Sequence, residues 1–185
     1  MTILGIDPGL ATMGWGAISF DGVKPRILDY GALITPPDMA LPLRLVSLFD
    51  GVSELCARFS PDDIAMEELF FCKNVTTALA VGQARGAAMV AMRKYTNNLY
   101  EYTPMQIKLA VTGYGKADKK QVQQMVKMLL GLDEIPRPDD AADGLAAAIT
   151  HAHSLRMRQN YRICRRKSLC FHFWKGASRN VIWTA

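Results

Sequence analysis

The chain has 185 residues, half of them apolar, and its mean hydropathy is close to zero. These values indicate a soluble, single-domain protein with a sizeable core, and no apolar run reaches the ~18 residues that a membrane helix needs. The N-terminus has no basic lead before a cleavable apolar segment, and the four cysteines form no C-x-x-C pair. Neither a signal peptide, nor a disulfide framework, nor a zinc ribbon is therefore indicated, and we expect a cytoplasmic protein without membrane partners.

The formal net charge of +5 is unevenly distributed along the chain. Residues 1–158 carry 16 basic and 17 acidic side chains, whereas residues 159–185 carry 6 basic side chains and no acid. The C-terminal segment therefore supplies the whole positive excess. Any surface for nucleic acid on the rest of the chain must be a local patch.

The first third of the chain predicts a three-stranded meander followed by a helix. Short apolar runs mark strands at 2–7, 13–20 and 26–35, with a turn at Asp21-Gly22 between the last two. Apolar residues then recur at helical spacing over 41–59. This order indicates that the three strands are antiparallel neighbours in one sheet.

The remainder predicts alternating strands and helices. A compact apolar strand ends near Glu67, and Asn74 is a plausible N-cap for the next helix. The further elements are a helix over 74–95, a strand over 98–104, a helix over 103–113 ended by Gly113, and helices over 116–131 and 139–158. We therefore expect an α/β fold with a mixed five-stranded sheet flanked by helices.

Asp7 ends the first predicted strand and is followed at once by Pro8 and Gly9. Taken alone, this is typical of a turn, because proline restricts φ and glycine tolerates positive φ. A second acid, Glu67 or Glu68, ends the fourth strand. Neighbouring strands that run the same way place such ends at one edge of the sheet, where sites tend to form.

Asp140 and Asp143 are three residues apart and share one face near the start of the last helix. The small residues around them let this helix approach a sheet closely. Acids here are also typical of a helix start, with Asp140 as N-cap or with Asp139 and Asp143 in the first turn. The spacing alone does not choose between Asp139 and Asp140.

Four acids from three distant segments would repel one another unless a cation compensates their charge. Carboxylates without histidine or cysteine partners favour Mg²⁺ or Mn²⁺. Two such ions ~3.5–4 Å apart are the usual arrangement for in-line phosphoryl chemistry. The acids therefore indicate a metal-dependent phosphodiesterase.

Four motifs in order make residues 1–158 resemble the RuvC family of Holliday-junction resolvases, within the RNase H-like nuclease superfamily. They are GIDPG at 5–9, AMEELFFCKN at 65–74, GQARG at 82–86 and DAADGLAAAITHAH at 140–153. The resemblance implies an RNase H-like fold. It also implies a catalytic, metal-binding tetrad and chooses among the acids that spacing left open: Asp7, Glu67, Asp140 and Asp143.

The resemblance further implies a homodimer that nicks two strands of like polarity symmetrically at a four-way DNA junction. This activity serves homologous recombination and DNA repair in the bacterial cytoplasm. The implied cofactor is Mg²⁺, two ions per active site, with Mn²⁺ as a substitute. The implied partner is the RuvA–RuvB branch-migration complex.

Six residues are implied to contact DNA. Phe70 matches an aromatic that stacks among junction bases, and stacking of this kind contributes ~1–3 kcal/mol per base; a core position is its alternative. Arg85 and Lys108 resemble phosphate contacts. Three lysines after a glycine pair suit backbone neutralisation, although a solvated helix start also explains them: Lys116, Lys119 and Lys120.

Residues 159–185 do not resemble the family and have no clear helical or strand period. They are either a basic, aromatic arm for nucleic acid or an artefact such as translation past a frameshift. Cys164, Cys170 and His172 lack a fourth ligand and do not favour zinc. The rival functions are another RNase H-like nuclease acting on an RNA–DNA hybrid or ribosomal RNA, an actin-like ATPase, and a junction-binding protein without activity.

Overall fold

The computed structural model describes residues 1–69 and 75–156 and builds them around one mixed sheet. Its order is β3-β2-β1-β4-β5, with β1, β2 and β3 antiparallel and β4 parallel to both β1 and β5. The predicted meander and the mixed five-stranded sheet are thereby confirmed. The strands are β1 (Thr2–Asp7), β2 (Thr12–Phe20), β3 (Pro25–Ile34), β4 (Asp63–Glu67) and β5 (Leu99–Tyr102).

Helices cover both faces of the sheet and bury a separate apolar core on each. The helices are α1 (Leu41–Phe59), α2 (Val75–Tyr95), α3 (Pro104–Thr112), α4 (Lys119–Leu130) and α5 (Asp139–Arg156). One core joins α1 and α2 to the sheet, and the other joins α3, α4 and α5 to the opposite face. None of the helices among the described residues combines the length and apolar character needed to cross a membrane.

Capping residues decide where the shorter helices begin and end. Thr103 and Gln106 form a capping box at the start of α3, and Gly113 ends that helix in a left-handed conformation. Asp118 caps α4, which therefore begins at Lys119 rather than at 116 as the sequence predicted. Asn74, the expected N-cap of α2, lies outside the described residues.

Gly9 serves a different purpose from the one that its sequence context suggested. The described glycines with positive φ are at 22, 113 and 131, so the turn after Asp7 does not use the positive φ that glycine tolerates. A Cβ atom at Gly9 would lie 2.0 Å from the carbonyl oxygen of Thr12. Glycine is needed there because the chain folds back tightly onto the start of β2.

The backbone of α5 lies directly against β1 and β2. A Cβ atom on Gly14 of β2 would be 1.8 Å from the main-chain oxygen of Asp140, and one on Gly5 of β1 would be 2.1 Å from that of Gly144. A Cβ atom on Gly144 would be 2.6 Å from Cα of Trp15. The close approach expected from the small residues of this helix is therefore confirmed.

We predict that Gly144→Ala destabilises the protein by ~1–3 kcal/mol or more. The added methyl group would overlap the backbone of Trp15, which the sheet holds in place. Gly86→Ala on α2 is the matched control, since nothing lies within 4 Å of its added Cβ atom. That helical substitution should raise stability by about 0.5–1 kcal/mol. Urea unfolding of both variants measures the difference, and equal stabilities would contradict the packing described for α5.

Candidate active site

Two adjacent central strands bring Asp7 and Glu67 together at one edge of the sheet. β1 and β4 are parallel, and Ile6 pairs in register with Met66. The next residue of each strand, Asp7 and Glu67, therefore follows at the same edge, and both are half-buried. The arrangement expected from the two strand ends is confirmed.

The first turns of α5 bring two further acids to this edge. Asp7 pairs across the sheet with Gly14, and the backbone of Asp140 packs on that same glycine. Asp140 lies within the first turn of α5, which begins at Asp139, so its alternative role as the N-cap is not realised. Asp143 follows about one turn later on the same side of the helix.

Burial and mutual repulsion raise the pKa values of Asp7 and Glu67. Burial, followed by the charges of Glu67, Asp143 and Asp140, raises the pKa of Asp7 to about 8. Burial and the charge of Asp143 raise the pKa of Glu67 to about 7. At neutral pH the raised pKa values of Asp7 and Glu67 favour the retention of protons in the metal-free site, because the two carboxyls are buried and lie near other acids.

One lysine supplies part of that compensation. Nζ of Lys119 lies 3.1 Å from Oδ2 of Asp143 and 4.0 Å from Oδ2 of Asp139. Burial still raises the pKa of Asp143, although the Lys119 hydrogen bond and charge oppose the shift. A single ammonium group therefore does not balance the acid cluster.

The donor chemistry and charge of the cluster fit a hard divalent cation, since all four candidate ligands are carboxylates. Among residues 1–69 and 75–156, however, no three acidic, histidine or cysteine side chains stand close enough together to hold a metal ion. The described carboxylates thus share one edge of the sheet without forming a closed cage for a cation. The raised pKa values of Asp7, Glu67 and Asp143 indicate that a cation would relieve part of their repulsion.

The predicted DNA contacts occupy different environments. Lys116 precedes α4 and Lys120 lies in its first turn, and both are exposed, whereas Lys119 contacts Asp143. Lys108, half-buried on α3, lies near enough to Glu67 to oppose the rise in the pKa of that carboxyl. Phe70 lies outside the described residues.

Arg85 forms an ion pair that the sequence did not predict. Its guanidinium on α2 contacts the carboxylate of Glu101 on β5, and its side chain is 20% exposed. Burial lowers the pKa of Arg85, and the charge of Glu68 opposes this shift. No local pattern could have identified Glu101, because the two residues belong to separate elements and meet only through the packing of α2 on the sheet.

Comparison with known proteins adds an independent result. The family model described as crossover junction endodeoxyribonuclease RuvC matches residues 3–151. A protein of that name from Rubrobacter xylanophilus is 57% identical over 155 residues, which are 84% of this chain and 87% of the relative.

Solved structures agree with this result. RuvC of Thermus thermophilus, in complex with a Holliday junction substrate, is 40% identical, with a TM-score of 0.82 over 86% of this chain and 97% of that one. The yeast mitochondrial Holliday junction resolvase Ydc2 is 16% identical, with a TM-score of 0.61 over 86% of this chain and 83% of that one, and so shares the fold. The RNase H-like fold expected from the sequence is confirmed.

We predict that Asp7→Asn stabilises the metal-free protein, and more so as the pH rises. The unfolded chain loses the Asp7 proton near its ordinary pKa of 3.8, whereas the folded protein keeps it up to about pH 8. The parent therefore loses stability through this window, and the variant does not. Melting temperatures in EDTA at about pH 5 and about pH 8.5 measure the effect, and each 1 kcal/mol corresponds to ~2–4 °C.

Asp38→Asn, a change at an exposed loop acid, is the control for this measurement. Its melting temperature should differ from that of the parent by the same amount at both pH values. An Asp7→Asn advantage that does not grow with pH would show that Asp7 is not held among repelling charges.

Proposed function

Because the chain belongs to the RuvC family of crossover junction endodeoxyribonucleases, we propose that its four clustered carboxylates carry out the cleavage of four-way DNA junctions. The enzyme is a Holliday junction resolvase of recombination and repair, and the family is metal-dependent. The observation that carries the assignment of the site is the convergence of Asp7, Glu67 and the α5 acids at one sheet edge, where burial and neighbouring charges raise the pKa values of Asp7, Glu67 and Asp143. The rival functions drawn from the sequence have no comparable support.

The proposed cofactor is a pair of Mg²⁺ ions held by the four acids, with Mn²⁺ as a substitute: Asp7, Glu67, Asp140 and Asp143. Two bound ions would activate a water and stabilise the leaving oxygen of the phosphodiester. Asp7 and Glu67 would act from rigid central strands, and the other two acids from a helix packed backbone-to-backbone on the sheet. Such rigid support suits metal catalysis, which tolerates little misplacement of ligands.

Lys119 has a proposed role in both the metal-free and the substrate-bound protein. Its ammonium group balances part of the charge of Asp143 while no cation is present. Once the Asp143 carboxylate binds a cation, Lys119 would be released to contact a phosphate oxygen of the DNA. Its side chain is 51% exposed, which leaves room for such a contact.

The other DNA contacts are proposed to surround this position. The exposed Lys116 and Lys120 would neutralise backbone phosphates, and Lys108 would act nearer the acids. Arg85 would have to engage a phosphate while it remains paired with Glu101. Phe70, outside the described residues, keeps its proposed role of stacking on junction bases.

We propose that two copies of the chain pair with each other through α1 and α2, and that this dimer binds one junction. These neighbouring helices expose large apolar side chains, namely Leu43, Val46, Leu79 and Val90. A two-fold dimer would present two equivalent sites to two strands of like polarity, which suits symmetric nicking. The RuvA–RuvB complex is the proposed source of branch migration.

The nuclease domain is proposed to span residues 1–158, and the family model matches most of this range. Residues 159–185 lie outside the described residues. Their 6 positive charges and lack of acids support a role in non-specific DNA affinity rather than in cleavage.

We predict that an amide at any of the four acids lowers junction cleavage at least ~100-fold, the scale for losing a charged group that acts in the transition state. The variants are Asp7→Asn, Glu67→Gln, Asp140→Asn and Asp143→Asn. Binding of the junction in EDTA should persist, because the loss of a negative charge does not weaken attraction to phosphate. Gel-shift and nicking assays on one synthetic junction separate the two effects.

Glu68→Gln and Asp139→Asn are the matched controls, since each neighbours a proposed ligand. Both should keep cleavage close to that of the parent. An inactive Asp139→Asn beside an active Asp140→Asn would mean that Asp139 is the ligand. Loss of junction binding in all four acid variants would mean that the acids are structural.

Metal removal is predicted to abolish nicking, because the cluster cannot ionise fully without a cation. EDTA should stop cleavage of a mobile four-way junction, and added Mg²⁺ or Mn²⁺ should restore it. Linear duplex and an RNA–DNA hybrid serve as comparison substrates and should remain uncut. Nicking that persists in EDTA would exclude the metal proposal, and preferential cutting of the hybrid would exclude the junction as substrate.

A further inference from the structure

Three buried polar side chains form a hydrogen-bonded chain between α5 and the part of the sheet made by β4 and β5. The ring of His151 lies between Tyr102 and Asp63, with 2.7 Å from Nδ1 to the Tyr102 hydroxyl and 2.8 Å from Nε2 to Oδ2 of Asp63. Their exposed fractions are 1%, 1% and 6% for His151, Tyr102 and Asp63. A neutral imidazole with its proton on Nε2 satisfies both bonds, by donating to Asp63 and accepting from Tyr102.

This chain joins the elements that carry the proposed metal ligands. Asp63 begins β4, the strand that ends in Glu67. Tyr102 ends β5 and pairs in register with Glu67 itself. His151 lies on α5, about three helical turns after Asp140 and therefore on the same face of the helix. The three side chains thus connect α5 to both ends of β4.

The remaining contacts of α5 with the sheet fix the distance between helix and sheet. They fix less firmly the position of the helix along its axis and its rotation about that axis. The helix meets β1 and β2 through glycine and backbone, and Leu145 packs on Gly16 of β2. Ile149 is also fully buried, and the remaining fully buried apolar residues of the helix are alanines. Small residues set how closely two elements approach, but they make few interlocking side-chain contacts that resist sliding and rotation. Hydrogen bonds are directional, so the two at His151 resist both movements.

We propose that His151 is a positioning residue for the metal site. Its two hydrogen bonds set the axial position and rotation of α5 on the sheet, and so hold the α5 carboxylates beside those of β1 and β4. The inference rests on the proposed function, because it concerns the ligands assigned there. Tyr100 adds support, since its ring lies 4.2 Å from that of His151, centroid to centroid, and holds the imidazole in place.

The nearby His153 provides a matched control on the same helix. Nδ1 of His153 lies 3.0 Å from the main-chain oxygen of Ala110 on α3, so this residue joins two helices and not the helix to β4. A change at His153 tests what the loss of a partly buried α5 hydrogen bond does to stability. It leaves the connection between α5 and Glu67 intact.

The test measures Mn²⁺ binding to the full-length protein by calorimetry or electron paramagnetic resonance, without DNA. Tyr102→Phe removes one hydroxyl and keeps the packing ring. We expect it to weaken Mn²⁺ binding about 10-fold, the lower end of the range for residues that orient metal ligands. His153→Gln should bind Mn²⁺ as the parent does, even where its melting temperature is lower.

A second set of variants tests whether the three residues act as one unit. Asp63→Ala, which removes the acceptor for Nε2, should weaken Mn²⁺ binding similarly, and combined with Tyr102→Phe it should add little further loss, because both changes release the same imidazole. Saturating Mg²⁺ should restore junction cleavage by Tyr102→Phe, whereas the acid-to-amide variants stay inactive. Junction affinity in EDTA should not change.

Asp7→Asn in the same titration separates this inference from the proposed function. If Asp7→Asn binds Mn²⁺ as tightly as the parent, the proposed metal site is wrong. If Asp7→Asn loses binding while Tyr102→Phe and Asp63→Ala bind within about twofold of the parent, the site stands and the positioning role of His151 is overturned. Lower melting temperatures alone would then mark the chain as structural.

Discussion

The backbone contact between α5 and the sheet is the constraint on which the rest of the structure depends. Glycines on both surfaces remove the side chains that would hold the two apart: Gly5, Gly14 and Gly144. Without this approach, the α5 acids would lie at least one side-chain layer farther from the strand ends. The small-residue face is therefore a condition for the site rather than a feature of the core alone.

The same approach creates an electrostatic cost. It brings the α5 acids close to the half-buried Asp7 and Glu67 and so adds to the rise that burial causes in the pKa values of these two residues. The metal-free protein is therefore less stable at alkaline pH. Lys119 offsets part of this repulsion through Asp143. An acid cluster whose negative charge is only partly balanced is suited to bind divalent cations. Binding would relieve the repulsion that folding creates among the carboxylates.

Packing and hydrogen bonding divide the task of placing α5. Glycine contacts determine its depth, and the chain through His151 links its register to β4 and β5. Buried polar groups of this kind add little net stability but favour one arrangement over nearby alternatives. An active site built from separate elements needs such specificity more than it needs a larger core.

Local sequence features located most elements and singled out the candidate acids. Periodicity defined α1, Gly113 marked the end of α3, and the strand ends pointed to Asp7 and Glu67, because these features depend on residues close in the chain. The local sequence did not reveal the Arg85–Glu101 pair, the Lys119–Asp143 contact or the hydrogen bond between His151 and Asp63, which are 88 residues apart. Tertiary structure alone decided these, since strand register and helix depth bring together residues whose local sequence carries no trace of the partner.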